Sequence, residues 1–404
     1  MIMLIYPLSK AVTKDRRRIA VHGEPVNTQS NRQIGLIVME SCRGLGEKIN
    51  KHLQELRYPG FGENPKNTAG KSFILPIEEI RFSTGDGKVV LDETSRGKDI
   101  YILCDVGNYS CTYNMFGITT HKGPDEHFQD IKRVLSAIGG RAKKITVIMP
   151  LLYSGRQHRR KLRESLDCAL ALQELERLGV DEILTFDAHD PNVQNAIPLL
   201  SFLNLYPTYE IVKTLIREEK ELFLDKSKLL VISPDTGGMD RAIYYSSVLG
   251  VDIGLFYKRR DYSKVVNGKN PIVQHEYMGR CVEDQNILIT DDMIASGQSI
   301  FDIAVELKKR KAQKIYVSTT FSFFTEGIKK FEEFHREGLI EKVYSTNLSY
   351  IPEEVKKSDW FKEVDMSRFI SNIISDINMN KSIRPYIDST EAINRLLTDT
   401  ATIL

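Results

Sequence analysis

The sequence predicts an α/β protein in which parallel strands alternate with helices, arranged as two tandem domains. Short, continuous apolar runs recur along the chain, and such runs suit parallel strands that are covered on both faces. Helical spacing lies between them, as at Cys168, Ala171, Leu172 and Leu175, where Gly179 is placed to end the helix. The predicted strands are 34–38, 100–103, 145–149, 183–186, 229–232, 253–256, 287–289 and 315–321.

The length and the order of these runs predict the domain organisation. A chain of 404 residues is longer than one ordinary domain and can bury two sizeable cores. Two strand–helix sets precede about residue 203 and further sets follow, so we place the joint within 199–207. We therefore predict an N-terminal extension at 1–33, a first domain at 34–203, and a second domain with a C-terminal tail at 204–404.

Composition indicates a soluble globular protein and gives no argument for nucleic acid or a membrane as partner. The 56 Lys and Arg residues against 54 Asp and Glu leave a formal net charge of only +2, so any cationic site must be local. The five cysteines are scattered without zinc-ligand spacing, which favours a reducing, cytoplasmic setting. The apolar opening at 1–6 is too short for a secretory core or a membrane span.

The most specific motif is the segment 286–299. An apolar run is followed by Asp291 and Asp292, then by the small residues 295–297, and then by helical spacing. The N–H groups of such a loop and of the following helix can surround a phosphate, while two adjacent carboxylates can accept hydrogen bonds from vicinal sugar hydroxyls. The plainer alternative is a helix entry at which Asp292 or Ser299 only caps the helix.

This combination resembles the phosphoribosyl-diphosphate loop of type I phosphoribosyltransferases. The resemblance implies a ribose 5-phosphate moiety as ligand, with Asp291 and Asp292 on the ribose hydroxyls. The sugar phosphate would be held by Ser296, Gly297, Gln298 and Ser299. The loop alone does not distinguish transferases from synthetases.

Further motifs follow the other predicted strands or turns. A cationic cluster at 156–161 suits the binding of a triphosphate. The alternative is a solvated, basic start of a helix, which is disfavoured because positive charge at a helix N-terminus opposes the helix macrodipole. A Lys-Arg-Arg run at 258–260 ends a predicted strand ahead of a long polar stretch, which fits a closing lid. The remaining motifs lie at 81–86 with 93–99, at 185–190 and at 233–242.

In order and approximate spacing, these segments together resemble ribose-phosphate pyrophosphokinases from about residue 34 to about residue 380. The resemblance implies two tandem type I phosphoribosyltransferase-like domains with parallel sheets. It implies transfer of the diphosphoryl group of magnesium-ATP to ribose 5-phosphate, and a homo-oligomer built from dimers, up to a hexamer, with nucleotide sites near subunit contacts. The implied residues are Lys258 and Arg260 for catalysis, Phe82, Asp86, Arg156 and Gln157 for ATP, and His189 and Asp235 for magnesium.

The sequence also departs from the family pattern. Thr84 and His158 stand where many members have Asp, Ala295 replaces an acidic residue, and 108–125 has the look of an insertion. A Thr in place of the acidic residue predicts a weaker rejection of purine bases other than adenine. Two alternatives stay open: a nucleobase phosphoribosyltransferase, which needs neither the cationic segment nor the 81–86 loop, and a non-catalytic regulatory paralogue.

Overall fold

The computed structural model describes residues 33–58, 72–160, 162–223, 225–260 and 272–403, of which 258–260, 272–275 and 400–403 are described by their backbone only. Apart from Gln33, the predicted N-terminal extension therefore lies outside the described residues. The described part belongs to a single compact unit, Arg32–Leu404.

The first half of this unit alternates strands and helices as the sequence predicts, with two added hairpins. Its elements are β1 (Ile34–Val38), α1 (Arg43–Arg57), β2 (Ile77–Arg81), β3 (Gly87–Leu91), β4 (Asp99–Leu103), β5 (Thr112–Met115), β6 (Ile118–His121), α2 (Pro124–Ile138), β7 (Lys144–Ile148), α3 (Asp167–Arg177), β8 (Glu182–Phe186) and β9 (Ser201–Leu205). Strands β1, β4, β7, β8 and β9 form a parallel sheet in that order.

The second half contains a larger sheet. Its elements are α4 (Thr208–Glu218), β10 (Leu229–Ser233), α5 (Met239–Leu249), β11 (Asp252–Arg260), β12 (Ile272–Met278), β13 (Asn286–Ile294), α6 (Gln298–Lys309), β14 (Ile315–Ser322), α7 (Lys329–Arg336), β15 (Lys342–Thr346), α8 (Glu353–Lys356), β16 (Phe361–Val364), α9 (Ser367–Asn378), α10 (Arg384–Ile387) and α11 (Thr390–Ile403). The strand order is β12-β11-β10-β13-β14-β15-β16, parallel except for the β11–β12 pair.

Both faces of each sheet are covered, which is why the strand sequences read as continuous apolar runs. In β10, Leu230 faces the core cluster beneath α6 and α7, whereas Val231 faces the central cluster that also contains α1, α4 and α9. Ile102 of β4 lies in a third cluster, with α2 and α3. The predicted α/β architecture with two parallel sheets is confirmed.

The structure places two features across the predicted domain division. Strand β9 pairs with the first sheet up to Leu205, two residues beyond the predicted end of the first domain at 203. Helix α9, from the C-terminal tail, packs against α1, and Asn378 at its end donates to the Asp99 carboxylate at the start of β4 at 3.0 Å. The exact boundary stays a prediction, but the tail returns to the first sheet.

Candidate active site

The segment predicted to bind the sugar phosphate forms a strand, a tight loop and a helix. Strand β13 continues past the predicted end at 289 to Ile294, because Asp291, Met293 and Ile294 still pair with β14. The loop turns at Gly297, whose φ is +84°, and a Cβ on that residue would lie 2.5 Å from the Phe331 ring. Only glycine fits this position, which is the N-cap of α6 and joins the loop directly to the helix N-terminus.

A cavity of about 200 Å³ lies over this loop and gathers side chains from both halves of the chain. Parallel strands explain the convergence, because β8, β10 and β13 end at neighbouring points of the cleft. The predicted site residues that line the cavity are Arg156, His189, Asp235, Asp291, Asp292, Ser296, Gly297, Gln298 and Ser299. Arg241, which sequence reasoning did not single out, lines the cavity as well.

The two adjacent aspartates of β13 differ in their surroundings. His189 Nδ1 lies 2.8 Å from Asp292 Oδ2, and this ion pair joins the end of β8 to the end of β13. The hydrogen bond to Asp292 raises the pKa of His189. Burial and the neighbouring charge of Asp292 raise the pKa of Asp291 to about 8, whereas His189 and Arg241 outweigh burial and lower the pKa of Asp292. The cleft therefore favours a single negative charge, located on Asp292, over charges on both Asp291 and Asp292.

Arg241, in the first turn of α5, spans the two sheets. Its Nη2 and Nε donate to the two carboxylate oxygens of Asp187, which follows β8, at 2.6 and 3.0 Å. Thr320 of β14 donates its hydroxyl to the same carboxylate at 2.6 Å. Arg241 Nη1 also lies 4.0 Å from Asp291 Oδ1, so one guanidinium neutralises charge on both sides of the cleft. The sequence held one indication that Asp187 and Arg241 belong to the site: both lie in motifs that follow buried strands.

Asp235 follows β10 and serves as the N-cap of a short turn. Its Oδ1 accepts hydrogen bonds from the N–H groups of Gly237 at 2.9 Å and Gly238 at 3.2 Å. These contacts fix the carboxylate, and Asp235 lines the cavity together with the 295–297 loop. Within the described parts of the chain, no group of three or more His, Cys, Asp or Glu side chains gathers as a potential metal site.

Over its described residues 156–160, the cationic segment after β7 is a loop, not the start of a helix, because α3 begins only at Asp167. Arg156 lines the cavity, whereas Gln157 is exposed and does not line it. Arg159 is held by Asp190, with its Nε and Nη2 3.1 and 2.9 Å from the same carboxylate oxygen. Of the predicted ATP residues in this segment, the structure thus brings only Arg156 to the cavity.

Phe82 and Asp86 lie in the turn between β2 and β3, and neither lines the cavity. The turn is closed by backbone hydrogen bonds between Phe82 and Asp86 at 2.8 Å and between Gly85 and Phe82 at 2.8 Å. Thr84, the departure noted in the sequence, donates its hydroxyl to the Asp86 carboxylate at 2.9 Å. The structure of one chain therefore does not bring this turn together with the other predicted nucleotide residues.

The predicted catalytic residues Lys258 and Arg260 lie at the end of β11, which pairs with β10 up to Leu255. Lys258 stands opposite His275 of β12 in the antiparallel β11–β12 pair. The backbone of β11 at 258–260 thus extends beyond the end of β10, the strand that Asp235 follows. The predicted lid is partly a two-stranded ribbon, and its segment 261–271 lies outside the described residues.

Comparison with known proteins matches both halves of the chain. Residues 34–179 match the family model of the N-terminal domain of ribose phosphate pyrophosphokinase, and residues 201–333 match the phosphoribosyl transferase domain. The chain is 29% identical over 301 residues to the ribose-phosphate pyrophosphokinase of Mycoplasma genitalium, covering 72% of this chain and 81% of that protein. It is 28% identical over 272 residues to that of Ralstonia nicotianae, covering 65% of this chain and 77% of that protein.

A solved structure shares the fold. The phosphoribosylpyrophosphate synthetase of Mycobacterium smegmatis superposes with a TM-score of 0.68 at 19% sequence identity, covering 86% of this chain and all of that one. At this identity the likeness establishes the architecture of two tandem phosphoribosyltransferase-type domains.

Proposed function

The chain belongs to the ribose-phosphate pyrophosphokinase family, and from this premise we propose that it transfers the β,γ-diphosphoryl group of ATP to the anomeric hydroxyl of ribose 5-phosphate. The products are 5-phosphoribosyl 1-diphosphate, for nucleotide biosynthesis, and AMP. The observation that carries the proposal is the cavity in which the 291–299 segment meets Arg156 and His189 from the first half of the chain and Asp235 from β10.

The sugar phosphate binds at the loop between β13 and α6. Backbone N–H groups and the hydroxyls of Ser296 and Ser299 surround the 5-phosphate at the helix N-terminus, where the dipole favours an anion. Asp292, which keeps its negative charge, accepts hydrogen bonds from the ribose hydroxyls together with Asp291. In this binding mode, the anomeric hydroxyl would face Asp235, which lines the same cavity.

The nucleotide binds along the cationic side of the cleft, with Arg156 and Gln157 on the phosphates. Phe82 and Asp86 take the adenine base, and because they do not line the cavity of their own chain we propose that they serve the cavity of a second copy. The functional form is accordingly a homo-oligomer built from dimers, up to a hexamer. No helix within the described ranges is long and apolar enough to cross a membrane.

Magnesium is the proposed cofactor, and it arrives with ATP. Asp235 would hold it directly and His189 partly through water, since magnesium prefers oxygen ligands, keeps several waters and takes the others from phosphates. The donor set fits, because two side chains at the rim of one cavity leave positions for phosphate and water. When bound, the ion neutralises phosphate charge.

The protein's own contribution is positioning and electrostatic stabilisation. The anomeric oxygen attacks the β-phosphorus, the bond from that phosphorus to the α,β-bridging oxygen breaks, AMP leaves and the hydroxyl proton is lost to solvent. Lys258 and Arg260 stabilise the charge that develops on the transferred group. The four cysteines buried in the described part of the chain, Cys42, Cys104, Cys111 and Cys168, are free, in keeping with a reducing, cytoplasmic location.

A coupled assay for AMP formation tests the proposal directly. We expect AMP to appear only when ATP, magnesium and ribose 5-phosphate are all present. A nucleobase phosphoribosyltransferase would instead release diphosphate from 5-phosphoribosyl 1-diphosphate and a free base without ATP. A regulatory paralogue would bind nucleotide but form no AMP, and either result would overturn the proposal.

A further inference from the structure

The segment 108–125, which the sequence analysis predicted to be an insertion, contains a two-stranded hairpin, β5–β6, closed by the two-residue turn Phe116-Gly117. Both turn residues have positive φ, +49° and +79°, as type I′ hairpin turns require. The first position of such a turn is favoured by Asn, Asp or Gly, and a bulky aromatic side chain there is an outlier. The ring of Phe116 is nevertheless 76% exposed, so burial does not compensate the strained backbone.

The hairpin is fixed to the turn that carries Phe82 and Asp86. The Phe116 N–H donates to the Ser83 carbonyl at 2.9 Å. Met115 packs on Gly85 so closely that a Cβ on that glycine would lie 2.7 Å from the Met115 sulfur. The Phe116 backbone is therefore held beside the turn, as one rigid unit with it.

Additional contacts anchor the base of this unit. The Arg81 guanidinium lies 5.2 Å from the centre of the Tyr113 ring in β5, and its Nη2 donates to the buried Asp130 carboxylate of α2 at 2.8 Å. Lys122, which follows β6, is 3.5 Å from the same carboxylate. Both hairpins are thus tied to one buried charge cluster on α2.

The unit presents large apolar side chains to solvent on neighbouring turns. Phe82 is 48% exposed and Phe116 76% exposed, and Ile118 beside the tip is 68% exposed. Strained backbone that packing does not explain is characteristic of functional positions. Exposed aromatic rings on a rigid backbone are suited to stack on a planar ligand at low entropic cost.

We propose that Phe116 is a base-contacting residue, which together with Phe82 holds the purine base of ATP and contributes to nucleotide affinity. The inference rests on the proposed function, since Phe82 and Asp86 enter the argument as nucleotide residues. The ligand group is the purine ring itself: its flat faces stack on phenylalanine rings, and its edge meets the Asp86 carboxylate, which the Thr84 hydroxyl holds in place.

The test compares Phe116→Asn with the wild type in binding of α,β-methylene-ATP, which cannot transfer its diphosphoryl group. Asn is preferred at the first position of this turn, so the variant should fold with an equal or higher Tm. We expect its Kd for the analogue, measured by calorimetry, to rise roughly tenfold, as the loss of one aromatic contact predicts. Phe116→Tyr should restore the wild-type Kd, because its ring can stack equally well.

Two controls separate base recognition from other effects. Ile118→Thr removes a similarly exposed apolar side chain from the same hairpin and should leave the Kd within twofold. Inorganic triphosphate has no base, so its binding should be unchanged in Phe116→Asn. If triphosphate binding weakened equally, or if sedimentation showed a smaller assembly, Phe116 would be an anchor between copies and the proposal would be wrong.

An unchanged analogue Kd in Phe116→Asn, or an equal loss in Ile118→Thr, would also overturn the inference. Failure of the proposed function is a different result, in which the wild type binds the analogue but forms no AMP from ATP and ribose 5-phosphate.

Discussion

Asp292 holds its charge in the cleft because His189 and Arg241 surround it, and this arrangement links the sugar site to the proposed metal site. His189 Nδ1 lies 2.8 Å from Asp292 Oδ2, so the residue proposed to act near magnesium is oriented by the residue proposed to bind ribose. The raised pKa of Asp291 follows from the same geometry, since burial penalises a second charge.

Replacing Asp292 by Asn should weaken ribose 5-phosphate binding by about 10- to 100-fold, the value of hydrogen bonds to a charged group. Binding of α,β-methylene-ATP should change less than about threefold, because the proposed adenine residues lie outside this cavity and the proposed phosphate residue Arg156 remains in place. The pKa of His189 should fall, since its hydrogen bond to Asp292 is what raises it. Calorimetry and histidine NMR measure the three effects.

Asp252→Asn is the matched control, since Asp252 is exposed, is paired with Arg280, and does not line the cavity. It should leave ribose 5-phosphate affinity unchanged. Equal affinity of wild type and Asp292→Asn for ribose 5-phosphate would remove Asp292 from the site.

Lys258→Ala should lower kcat by about 10²- to 10³-fold, as expected for the loss of one preorganised charge at the transition state. The Kd for α,β-methylene-ATP should change much less, because the lysine acts on charge that develops during transfer. Lys309→Ala removes an exposed cation from the end of α6 and is the control, which should leave both kcat and the Kd unchanged. Parallel losses in nucleotide binding and turnover would contradict a transition-state role.

The sequence predicted residues that meet in the cavity where a motif follows a buried strand, as for Asp235, His189 and Asp292. The pairing of Arg241 with Asp187 was not, because it joins positions 54 residues apart through tertiary structure. Nor could the sequence show that the Phe82 turn lies outside the cavity of its own chain, since a motif indicates a ligand but not its position relative to the other motifs. The roles of these residues stay predictions.

At the scale of elements, continuous apolar runs in the sequence correctly predicted strands that are buried on both faces. Strand β15 is also buried, but the sequence analysis did not predict it. Its Ser345 and Thr346 weaken the apolar pattern, yet both hydroxyls are satisfied within the sheet: Ser345 by Thr319 of β14 at 3.2 Å, and Thr346 by the Thr320 carbonyl. Single-sequence reasoning reads such residues as surface residues because it cannot see their partners.

The loop after β4 contacts the loop after β15 through one buried carboxylate. Asp105 is 1% exposed, and its Oδ2 accepts from the Ser349 hydroxyl at 2.8 Å and the Tyr350 N–H at 3.0 Å. Burial raises the pKa of Asp105 to about 6 although these hydrogen bonds oppose the rise. In the unfolded chain the same group titrates near pH 4.

Between about pH 4 and pH 6, Asp105 keeps its proton in the folded state but has lost it in the unfolded state. Asp105 therefore favours folding below about pH 4, and this contribution to stability is lost as the pH rises through 6. We predict that the free energy of unfolding of wild type relative to Asp105→Asn falls by roughly 2 kcal/mol between pH 4 and pH 7. Urea unfolding at both pH values measures the difference.

Asp365 provides a control of opposite sign. Its pKa is lowered to about 2, since hydrogen bonds from Ser367, Lys48 and Asn347 outweigh burial, so its contribution is present above about pH 4 and is lost only below that. The wild-type advantage over Asp365→Asn should therefore be constant from pH 4 to pH 7. A constant advantage over Asp105→Asn across the same range would show that Asp105 does not titrate there.

At the scale of the whole molecule, the C-terminal tail completes the first half of the chain. Arg57 of α1 donates to the Ser375 carbonyl at 3.0 Å and the Asn378 side chain at 2.9 Å, and Tyr101 of β4 donates to the Ile374 carbonyl at 3.4 Å. The sequence analysis predicted only a C-terminal tail here and gave it no role, because an amphipathic helix does not identify which sheet it covers. Truncation within α9 would expose the apolar face of the first sheet.

The Arg241–Asp187 pair is a buried charged contact that joins the two sheets beside the cavity. Removing one member leaves the other as an uncompensated buried charge, which costs about 3–5 kcal/mol, far more than the loss of an exposed pair. We therefore predict that Arg241→Met lowers the free energy of urea unfolding by about 3–5 kcal/mol. Arg280→Met, which breaks the exposed pair with Asp252, should cost less than about 1 kcal/mol.

The double variant Asp187→Asn with Arg241→Met distinguishes a buried ion pair from simple loss of packing. Neutralising Asp187 removes the unpaired charge while Thr320 can still hydrogen-bond to the amide oxygen, so much of the lost stability should return. If the double variant were as unstable as the sum of both single variants, the arginine would stabilise the junction by its packing. In that case the charge on Asp187 would have no part in holding the two sheets together.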